Sequence, residues 1–387
     1  MAALTRYLAN ALDRIDARHE RRRLVATGNA GPRCLRRGGE QLLDFSSNDY
    51  LGLASHPLLA ERSAEWARQL GSGGGASRLV TGTSDAHLAL EARIAEFKGT
   101  EAALLFPSGW HLNAAVLSAL LKAAPETLLF TDRLIHASLH AGAAGHRQIR
   151  FRHNDLAHLE TLLAERAGET GPRLIVTESV FSMDGDRVDL ARLAALACAH
   201  DAFLYVDEAH ATGVLGPGGR GLSAAHPGSV DLAMGTFSKA MGSFGAYVAG
   251  STLLIDYLIN ACGGFIFSTA PPPSMLGAID AALDLVPGME AERQRLAGHG
   301  EHLRARLQAA GIGTGDSSTQ IIPAIIGAAD ATLELATRLA DAGFLAAAIR
   351  PPTVPPGTSR LRLAVRATHN SSDIDRLADA IIAGLRG

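Results

Sequence analysis

The sequence predicts an α/β protein, with a large domain built on a mostly parallel central sheet and a smaller C-terminal α/β domain. Short apolar runs typical of buried strands alternate with helical patterns from about residue 100 onwards, as in βαβ units. Alanine, leucine and glycine are abundant and aromatic residues make up only 5%, which suits helices packed on a buried parallel sheet. A chain of 387 residues is long enough for two such packing units.

An N-terminal arm is predicted over residues 1–45. Leu4, Leu8, Leu12 and Ile15 recur at helical spacing, which predicts a helix over residues 4–24. The elements expected from there to residue 100 are a strand at 41–45, a turn at 48–53, a helix from 57 to about 70, a flexible glycine-rich loop at 71–76 and a helix at 87–97.

The large domain is predicted over residues 46–285 and the small domain over 286–387. After the prolines at 271–273 we expect a long helix that runs past Pro287 towards Ala310. The N-terminal arm is expected to pack with the small domain. Strands of the large domain are expected at 102–106, 127–131, 174–178, 203–207, 232–235 and 245–249, with helices reaching residue 121, following residue 136 and spanning 190–200. In the small domain, strands are expected near 320–326 and 360–365, and helices near 331–342 and 372–385.

Charge and cysteine content narrow the class of protein. The formal net charge of −3 gives no basic excess for nucleic acid and no acidic tail. Cys34, Cys198 and Cys262 are widely spaced and odd in number, so we expect no disulfide framework, no metal site and a cytoplasmic location. We expect no membrane span, and acidic residues in the Arg-rich first 24 residues argue against a transit peptide.

Several chemically active side chains follow predicted strands. Asp207 ends one strand, His210 comes three residues later, and Lys239 lies among small residues after another strand. His136 and Ser182 follow earlier strands. Ligands of α/β sheets bind at the carboxyl ends of strands. We therefore expect these side chains to form one site.

This set predicts a pyridoxal phosphate site. The cofactor needs a lysine for its Schiff base, a carboxylate beside its ring nitrogen, a flat partner for its ring and donors for its phosphate. Lys239 and Asp207 supply the first two, and the helix after Ser108 offers its N-terminal amides to the phosphate.

Alternative interpretations of single residues remain open at this point. Lys239 could be a surface lysine, Asp207 could cap a turn and His210 could be a core histidine. His136 and His140 have the spacing of a metal pair on a helix, but no third ligand completes the motif. The glycine-rich stretch 71–76 fits a dinucleotide fingerprint, but it follows a helix instead of a strand.

The chain resembles the α-oxoamine synthases over about residues 45 to 365. The resemblance lies in four motifs: Ser47–Leu53, Thr177–Asp186, Val206–Gly213 and Thr236–Lys239. These synthases are fold-type I pyridoxal-phosphate enzymes that join an amino acid to an acyl thioester and release carbon dioxide. The resemblance thus implies this fold, this cofactor and an acyltransferase activity.

Two downstream runs, Ile349–Pro355 and Ser359–Arg362, are most similar to one branch of that family. This branch condenses L-alanine with a pimeloyl thioester, on coenzyme A or acyl carrier protein, in biotin biosynthesis. Glycine C-acetyltransferase (2-amino-3-ketobutyrate CoA ligase), 5-aminolevulinate synthase and serine palmitoyltransferase are the other branches to consider. A non-catalytic scaffold subunit of the same fold is a different class of protein, but such subunits usually lack the lysine present here as Lys239.

The resemblance also implies roles for individual residues. Lys239 would hold the cofactor and move the substrate α-proton, Asp207 would pair with the ring nitrogen, and His136 would stack on the ring. The other residues that the resemblance places at the cofactor are Gly109, Trp110, Ser182, His210, Thr236, Ser268 and Thr269.

The implied substrate contacts come from several parts of the chain. Arg21 and Arg22 compete for one such role, because the arginine run at 21–23 leaves the alignment ambiguous. Arg362 would bind the amino-acid carboxylate, and Asn48, His136 and Thr353 are the remaining substrate candidates. The resemblance further implies a homodimer with its active site at the interface, to which a second subunit lends the segment at Ser268 and Thr269.

Overall fold

Three β-sheets organise the part of the chain that the computed structural model describes, residues 3–18 and 20–386. The strands, numbered along the chain, are β1 (Gly28–Asn29), β2 (Cys34–Arg37), β3 (Glu40–Asp44), β4 (Ala102–Phe106), β5 (Leu128–Asp132), β6 (Gln148–Phe151), β7 (Arg173–Glu178), β8 (Ala202–Asp207), β9 (Leu232–Thr236), β10 (Ala246–Gly250), β11 (Ile321–Gly327), β12 (Phe344–Leu345), β13 (Ala347–Ile349) and β14 (Ser359–Ala364). The α-helices are α1 (Ala3–Ala17), α2 (Pro57–Leu70), α3 (Asp85–Lys98), α4 (Gly109–Ala123), α5 (Ala137–Gly142), α6 (Leu156–Glu165), α7 (Leu190–Ala199), α8 (Thr252–Ala261), α9 (Gly263–Ile266), α10 (Pro273–Leu285), α11 (Glu290–Ala309), α12 (Ala329–Asp341) and α13 (Ser371–Arg386).

The central sheet confirms the predicted α/β class. Its strand order is β4-β10-β9-β8-β7-β5-β6. Strands β5 to β9 pair in parallel, whereas β10 is antiparallel to both β4 and β9. Helices cover both faces, so β8, β9 and β10 are almost entirely buried and read as continuous apolar runs. The carboxyl ends of β7, β8 and β9 lie at one edge of the sheet.

A small sheet and the N-terminal arm complete the architecture. The small sheet has the order β11-β14-β13. The arm contributes β1, β2 and β3, and β3 pairs in parallel with β12 from the C-terminal part of the chain. This pairing confirms that the arm packs with the C-terminal unit. The division into domains at residues 45 and 285 stays a prediction.

No helix in the described ranges is both long enough and apolar enough to cross a membrane.

The first helix is shorter than predicted. Helix α1 ends at Ala17 instead of continuing to residue 24. The apolar repeat stops at Ile15, and the next large apolar residue, Leu24, is fully exposed. Without an apolar stripe to bury, the Arg-rich stretch gains nothing from continuing the helix.

The long helix predicted through Pro287 is wrong, because the chain forms two helices there. Helix α10 ends at Leu285 and α11 begins at Glu290. Proline lacks the amide proton of the helical ladder, and its ring clashes with the preceding turn. Arg293 of α11 donates from Nη1 to the carbonyl oxygen of Val286 at 2.7 Å. A side chain therefore provides a hydrogen-bond donor to a carbonyl group at the point where the helix is interrupted.

A buried ionic cluster fixes the loops after β5 and β7. The His153 imidazole lies 3.0 Å from Asp132 Oδ1 through Nδ1 and 2.9 Å from Asp186 Oδ2 through Nε2. Both carboxylates are buried. Burial alone would lower the pKa of His153, but the carboxylates of Asp132 and Asp186 raise it to about 10. The protonated ring therefore ties the two loops together.

Replacing His153 by glutamine should lower stability in a pH-dependent way. A raised folded-state pKa contributes stability that is complete below the ordinary histidine value and lost as pH rises through about 10. We expect His153→Gln to lower the free energy of unfolding by about 3 kcal/mol at pH 6, and by much less at pH 10.5. Urea unfolding at both pH values measures this difference. His226→Gln, at a half-buried histidine outside this cluster, is the control, and a loss independent of pH would contradict the assignment.

Candidate active site

A cavity of about 200 Å³ opens at the carboxyl ends of the central strands. Parallel strands present their carboxyl ends at one edge, where loops from several strands converge. The cavity brings together seven of the residues singled out from the sequence: Gly109, Trp110, His136, Asp207, His210, Thr236 and Lys239.

Lys239 lies in the loop after β9, and its amine is within the cavity wall. Nζ is 2.8 Å from Nε2 of His210. Burial lowers the pKa of Lys239 to about 8, against the opposing attraction of Asp207 and Glu178. A substantial fraction of this amine is therefore neutral near physiological pH, and a neutral amine is a nucleophile and a base.

Asp207 ends β8 and is 5% exposed. Its carboxylate accepts hydrogen bonds from Nδ2 of Asn113 at 2.8 Å and from the amide of Ala209 at 2.9 Å. Tyr205 donates to the Asn113 carbonyl oxygen at 2.6 Å and so fixes which end of that amide faces Asp207. No cationic side chain in the described ranges forms an ion pair with Asp207. A buried carboxylate with only neutral donors favours a cationic ligand.

Glu178 is a second buried carboxyl group in the cavity wall, and the sequence reasoning did not assign it a role. It ends β7 directly opposite Asp207 in the strand register. Burial, and next the charge of Asp207, raise its pKa well above the usual range. Its Oε1 is buried and meets no hydrogen-bonding partner within the described ranges. The raised pKa favours the protonated form of Glu178.

His136 and Trp110 line another side of the cavity. Nδ1 of His136 lies 2.7 Å from the Ser138 hydroxyl, which fixes the ring orientation. Trp110 meets the imidazole edge-on at 5.8 Å between ring centroids. Desolvation at the cavity wall lowers the pKa of His136, which favours the neutral ring, a flat surface suited to stacking on a planar ligand.

The N-terminus of α4 offers an anion-binding region beside these groups. Ser108 caps the helix by accepting from the His111 amide at 3.2 Å. A Cβ atom at Gly109 would come within 3.4 Å of Met234, so glycine keeps this corner of the cavity open. The hydroxyls of Thr236 and Ser238 lie 2.8 Å apart nearby, and both residues line the cavity. Amides and hydroxyls of this kind suit a phosphate.

The predicted substrate residues Asn48 and Arg362 meet at the other side of His210. Nη2 of Arg362 donates to Oδ1 of Asn48 at 3.0 Å, and Nε donates to the Ser182 carbonyl oxygen. Ser182 and Thr353 line a neighbouring cavity of about 150 Å³. The structure therefore places these four residues beside the main cavity and outside its lining.

Four other predicted residues lie away from the cavity. Ser268 donates to the Gly264 carbonyl oxygen, and Thr269 lines a separate cavity of about 510 Å³. Arg21 is exposed and pairs with Asp16, and Arg22 is exposed. Within one chain, these residues do not reach Lys239.

The sequence matches known proteins over nearly its whole length. Residues 40–381 match the family Aminotransferase class I and II. A relative from Bordetella bronchiseptica, described as a putative 8-amino-7-oxononanoate synthase, is 62% identical, with 100% of this chain and 98% of the relative covered. The 8-amino-7-oxononanoate synthase of Gluconacetobacter diazotrophicus is 60% identical, with 97% and 96% covered.

Solved structures share the fold. Serine palmitoyltransferase from Sphingomonas wittichii superposes with a TM-score of 0.91 at 26% identity, covering 100% of this chain and 98% of that one. The 8-amino-7-oxononanoate synthase of Francisella tularensis superposes with a TM-score of 0.77 at 25% identity, covering 89% and 98%.

The lowered pKa of Lys239 can be measured directly, because the chain has three lysines. Acylation of the cofactor-free protein at a series of pH values, followed by peptide mass spectrometry, should give a labelling midpoint for Lys239 near pH 8. Lys122 is exposed and is the internal reference, whereas Lys98 is buried against Glu208 and should stay unlabelled. A Lys239 midpoint as high as that of Lys122 would show that the amine is not desolvated.

Proposed function

The chain belongs to the aminotransferase class I and II family, together with the 8-amino-7-oxononanoate synthases that it matches, and from this membership we propose that it condenses L-alanine with a pimeloyl thioester. The products are 8-amino-7-oxononanoate, carbon dioxide and the free thiol, as an acyltransferase step in biotin biosynthesis. The observation that supports this most directly is that one small cavity holds both Lys239, whose pKa is lowered, and the buried carboxylate of Asp207, which forms no ion pair with the described residues.

The side chains of the cavity fit pyridoxal 5'-phosphate, the cofactor of this enzyme. Lys239 would hold the cofactor through its amine, and Asp207, which has only neutral partners, would pair with a protonated ring nitrogen. The neutral ring of His136 would stack on it. The N-terminus of α4 at Gly109 and Trp110, together with Thr236, would hold the phosphate.

Ser182 and His210 are placed nearer the phenolic oxygen in this proposal. When bound, the cofactor supplies an electron sink that stabilises the carbanion formed at the amino-acid α-carbon. Lys239, neutral in part, takes the α-proton and later returns a proton to the product. Asp207 keeps a fixed negative charge at the cavity floor without reorganising during the reaction.

Substrate binding falls to the residues next to the cavity. Arg362 would bind the alanine carboxylate, because its guanidinium is bound by Asn48 and the Ser182 carbonyl and by no carboxylate of the described chain. Thr353 borders the adjacent cavity and would contact the acyl donor. Either Arg21 or Arg22 would reach the substrate, and His136 would contact it from the cavity side.

Sequence identity to known relatives favours the proposed reaction over those of the other branches of the family. The serine palmitoyltransferase structure has the higher TM-score of the two structures compared, but only 26% identity. The synthase relatives reach 62% and 60%. Glycine C-acetyltransferase remains the alternative to test. A scaffold subunit without chemistry is disfavoured by Lys239, Asp207 and His136 together.

Turnover assays test the proposed reaction. The purified protein with L-alanine and pimeloyl-CoA should release carbon dioxide and form 8-amino-7-oxononanoate, with glycine plus acetyl-CoA much slower. Lys239→Ala should abolish the visible absorption of the bound cofactor and lower turnover at least about a hundredfold, whereas Lys122→Ala should keep both. Preference for glycine with acetyl-CoA would assign the protein to glycine C-acetyltransferase. Parallel assays with pimeloyl-acyl carrier protein identify the donor.

A homodimer with the active site at its interface is part of this proposal. Phe267 is 85% exposed and directly precedes Ser268 and Thr269, and Phe244 is 58% exposed and lines the same cavity as Thr269. Large exposed apolar side chains of this kind mark protein interfaces. A partner subunit would bring its own copy of this segment to the phosphate.

The unpaired cysteines Cys34, Cys198 and Cys262 are compatible with a reducing cytoplasm, which we propose as the location of this protein.

Light scattering after size exclusion tests the dimer. The expected mass is twice the 40.4 kDa of one chain. Phe267→Asp should shift the protein towards monomer because it places a charge in the proposed interface, whereas Leu253→Asp, at a similarly exposed apolar residue, should leave the dimer intact. A wild-type mass of one chain would contradict the dimer.

A further inference from the structure

Lys239 is the end of a continuous chain of hydrogen bonds that reaches the small sheet. Nζ of Lys239 lies 2.8 Å from Nε2 of His210, and Nδ1 of the same ring lies 2.7 Å from the hydroxyl of Tyr50. That hydroxyl lies 3.0 Å from Oδ1 of Asn48, which accepts from Arg362 of β14 at 3.0 Å. Tyr50 and His210 are both buried, so water does not compete for the bond between them.

The donors and acceptors along this chain have only one consistent direction. Arg362 can only donate, so its bond fixes the Asn48 atom as the carbonyl oxygen. The hydroxyl oxygen of Tyr50 and Oδ1 of Asn48 lie 3.0 Å apart, so a proton must lie between them. Because Oδ1 carries no proton, this is the single hydroxyl proton of Tyr50. The Tyr50 oxygen is then left as an acceptor for Nδ1–H of His210. If Tyr50 instead donated its proton to His210, the lone pairs of the Tyr50 and Asn48 oxygens would face each other without a proton between them.

We infer that Tyr50 is a positioning residue, which holds neutral His210 in the Nδ1–H tautomer and so keeps its Nε2 lone pair directed at the amine of Lys239. The inference deepens the proposed function and rests on Lys239 being the reacting amine there. It connects the amine to Arg362, the proposed carboxylate site, through three side chains: Asn48, Tyr50 and His210.

The tautomer matters because His210 is neutral. Burial, and next the positive charges of Lys239, Arg362 and His136, lower its pKa well below the usual range. A neutral imidazole has one donor and one acceptor nitrogen. With Nε2 as acceptor, the ring stabilises the protonated amine; with Nε2–H, it would stabilise only the free amine.

Three further charged groups act on the amine of Lys239. Asp207 on β8 and Glu178 on β7 favour the protonated amine, whereas Arg362 on β14 opposes it. Tyr50→Phe removes no contact of Asp207 or Glu178. Arg362 loses its bond to the Tyr50 hydroxyl at 3.4 Å and keeps its charge and its shorter bond to Asn48 at 3.0 Å. A change in the Lys239 labelling midpoint in such a variant therefore reports the His210 tautomer.

The test is pH-dependent acylation of Lys239 in full-length, cofactor-free Tyr50→Phe protein. Without the hydroxyl acceptor, Nε2–H becomes populated and the amine loses a charge-assisted acceptor. The midpoint should fall by on the order of one pH unit relative to wild type. Tyr257→Phe is the matched control, because its hydroxyl donates to the Ala119 carbonyl oxygen away from the cavity. An unchanged or raised midpoint in Tyr50→Phe would overturn the inference.

A measurement on the wild type covers the case in which Tyr50→Phe does not fold. Nitrogen-15 resonances of labelled histidine, assigned by comparison with His210→Asn, distinguish protonated from unprotonated ring nitrogens. We expect Nδ1 of His210 to be protonated and Nε2 to be unprotonated; the reverse pattern would overturn the inference. Neither experiment requires substrate, so failure here is distinguishable from failure of the proposed reaction. In the loaded enzyme, kcat of Tyr50→Phe should fall about tenfold, with KM for alanine changing less than threefold.

Discussion

The peptide segment from Asp207 to His210 is the constraint on which the site depends. Within four residues it directs one carboxylate into the cavity, a second into the core and an imidazole towards Lys239. The core carboxylate is Glu208, which is completely buried and lies 2.6 Å from Nζ of Lys98. Its other oxygen accepts from the Ser223 amide at 2.9 Å. Because this buried pair would leave an unpaired charge if the segment moved, Asp207 and His210 are fixed in place.

Because this segment is fixed, the cavity holds a carboxylate and a partly neutral amine close together. Among the described residues, the hydrogen-bond donors to Asp207 are neutral, and the raised pKa of Glu178 beside it favours the protonated form, so the carboxylate of Asp207 is the negative charge at the cavity floor. The amine of Lys239 lies within the range of that charge and is still partly neutral, because desolvation outweighs the attraction. A site that combines a single fixed anion with a free amine is suited to a ligand with a cationic ring and an electrophilic carbon.

The sequence was sufficient to predict the α/β class, the parallel sheet and the functional residues at the ends of strands. Asp207 and Lys239 were recognisable because each follows a short apolar run that could only be a buried strand. Glu178, Asn113 and Tyr50 were not assigned roles, since their importance arises from contacts across the fold: a neighbouring strand, a helix and a distant loop. Two acidic residues that end adjacent strands were the signal available for Glu178.

Errors in the elements had local physical causes. The helix predicted to residue 24 lost its apolar stripe after Ile15, and the one predicted across Pro287 met a residue that cannot continue the ladder. The edge strand β6 and helix α6 after it were not predicted. Residues 148–151 form a four-residue edge strand with arginine and glutamine among its side chains, and such short mixed segments have no clear period.

The shortage of lysine has a consequence for how the protein meets a reactive aldehyde. The chain has three lysines among 36 basic residues; guanidinium groups provide the rest of its positive charge and do not form imines readily at neutral pH. One amine is sealed in the core and one is at the surface. An aldehyde cofactor in the cell therefore encounters few competing primary amines on this protein, and loading is chemically selective as well as geometrically directed.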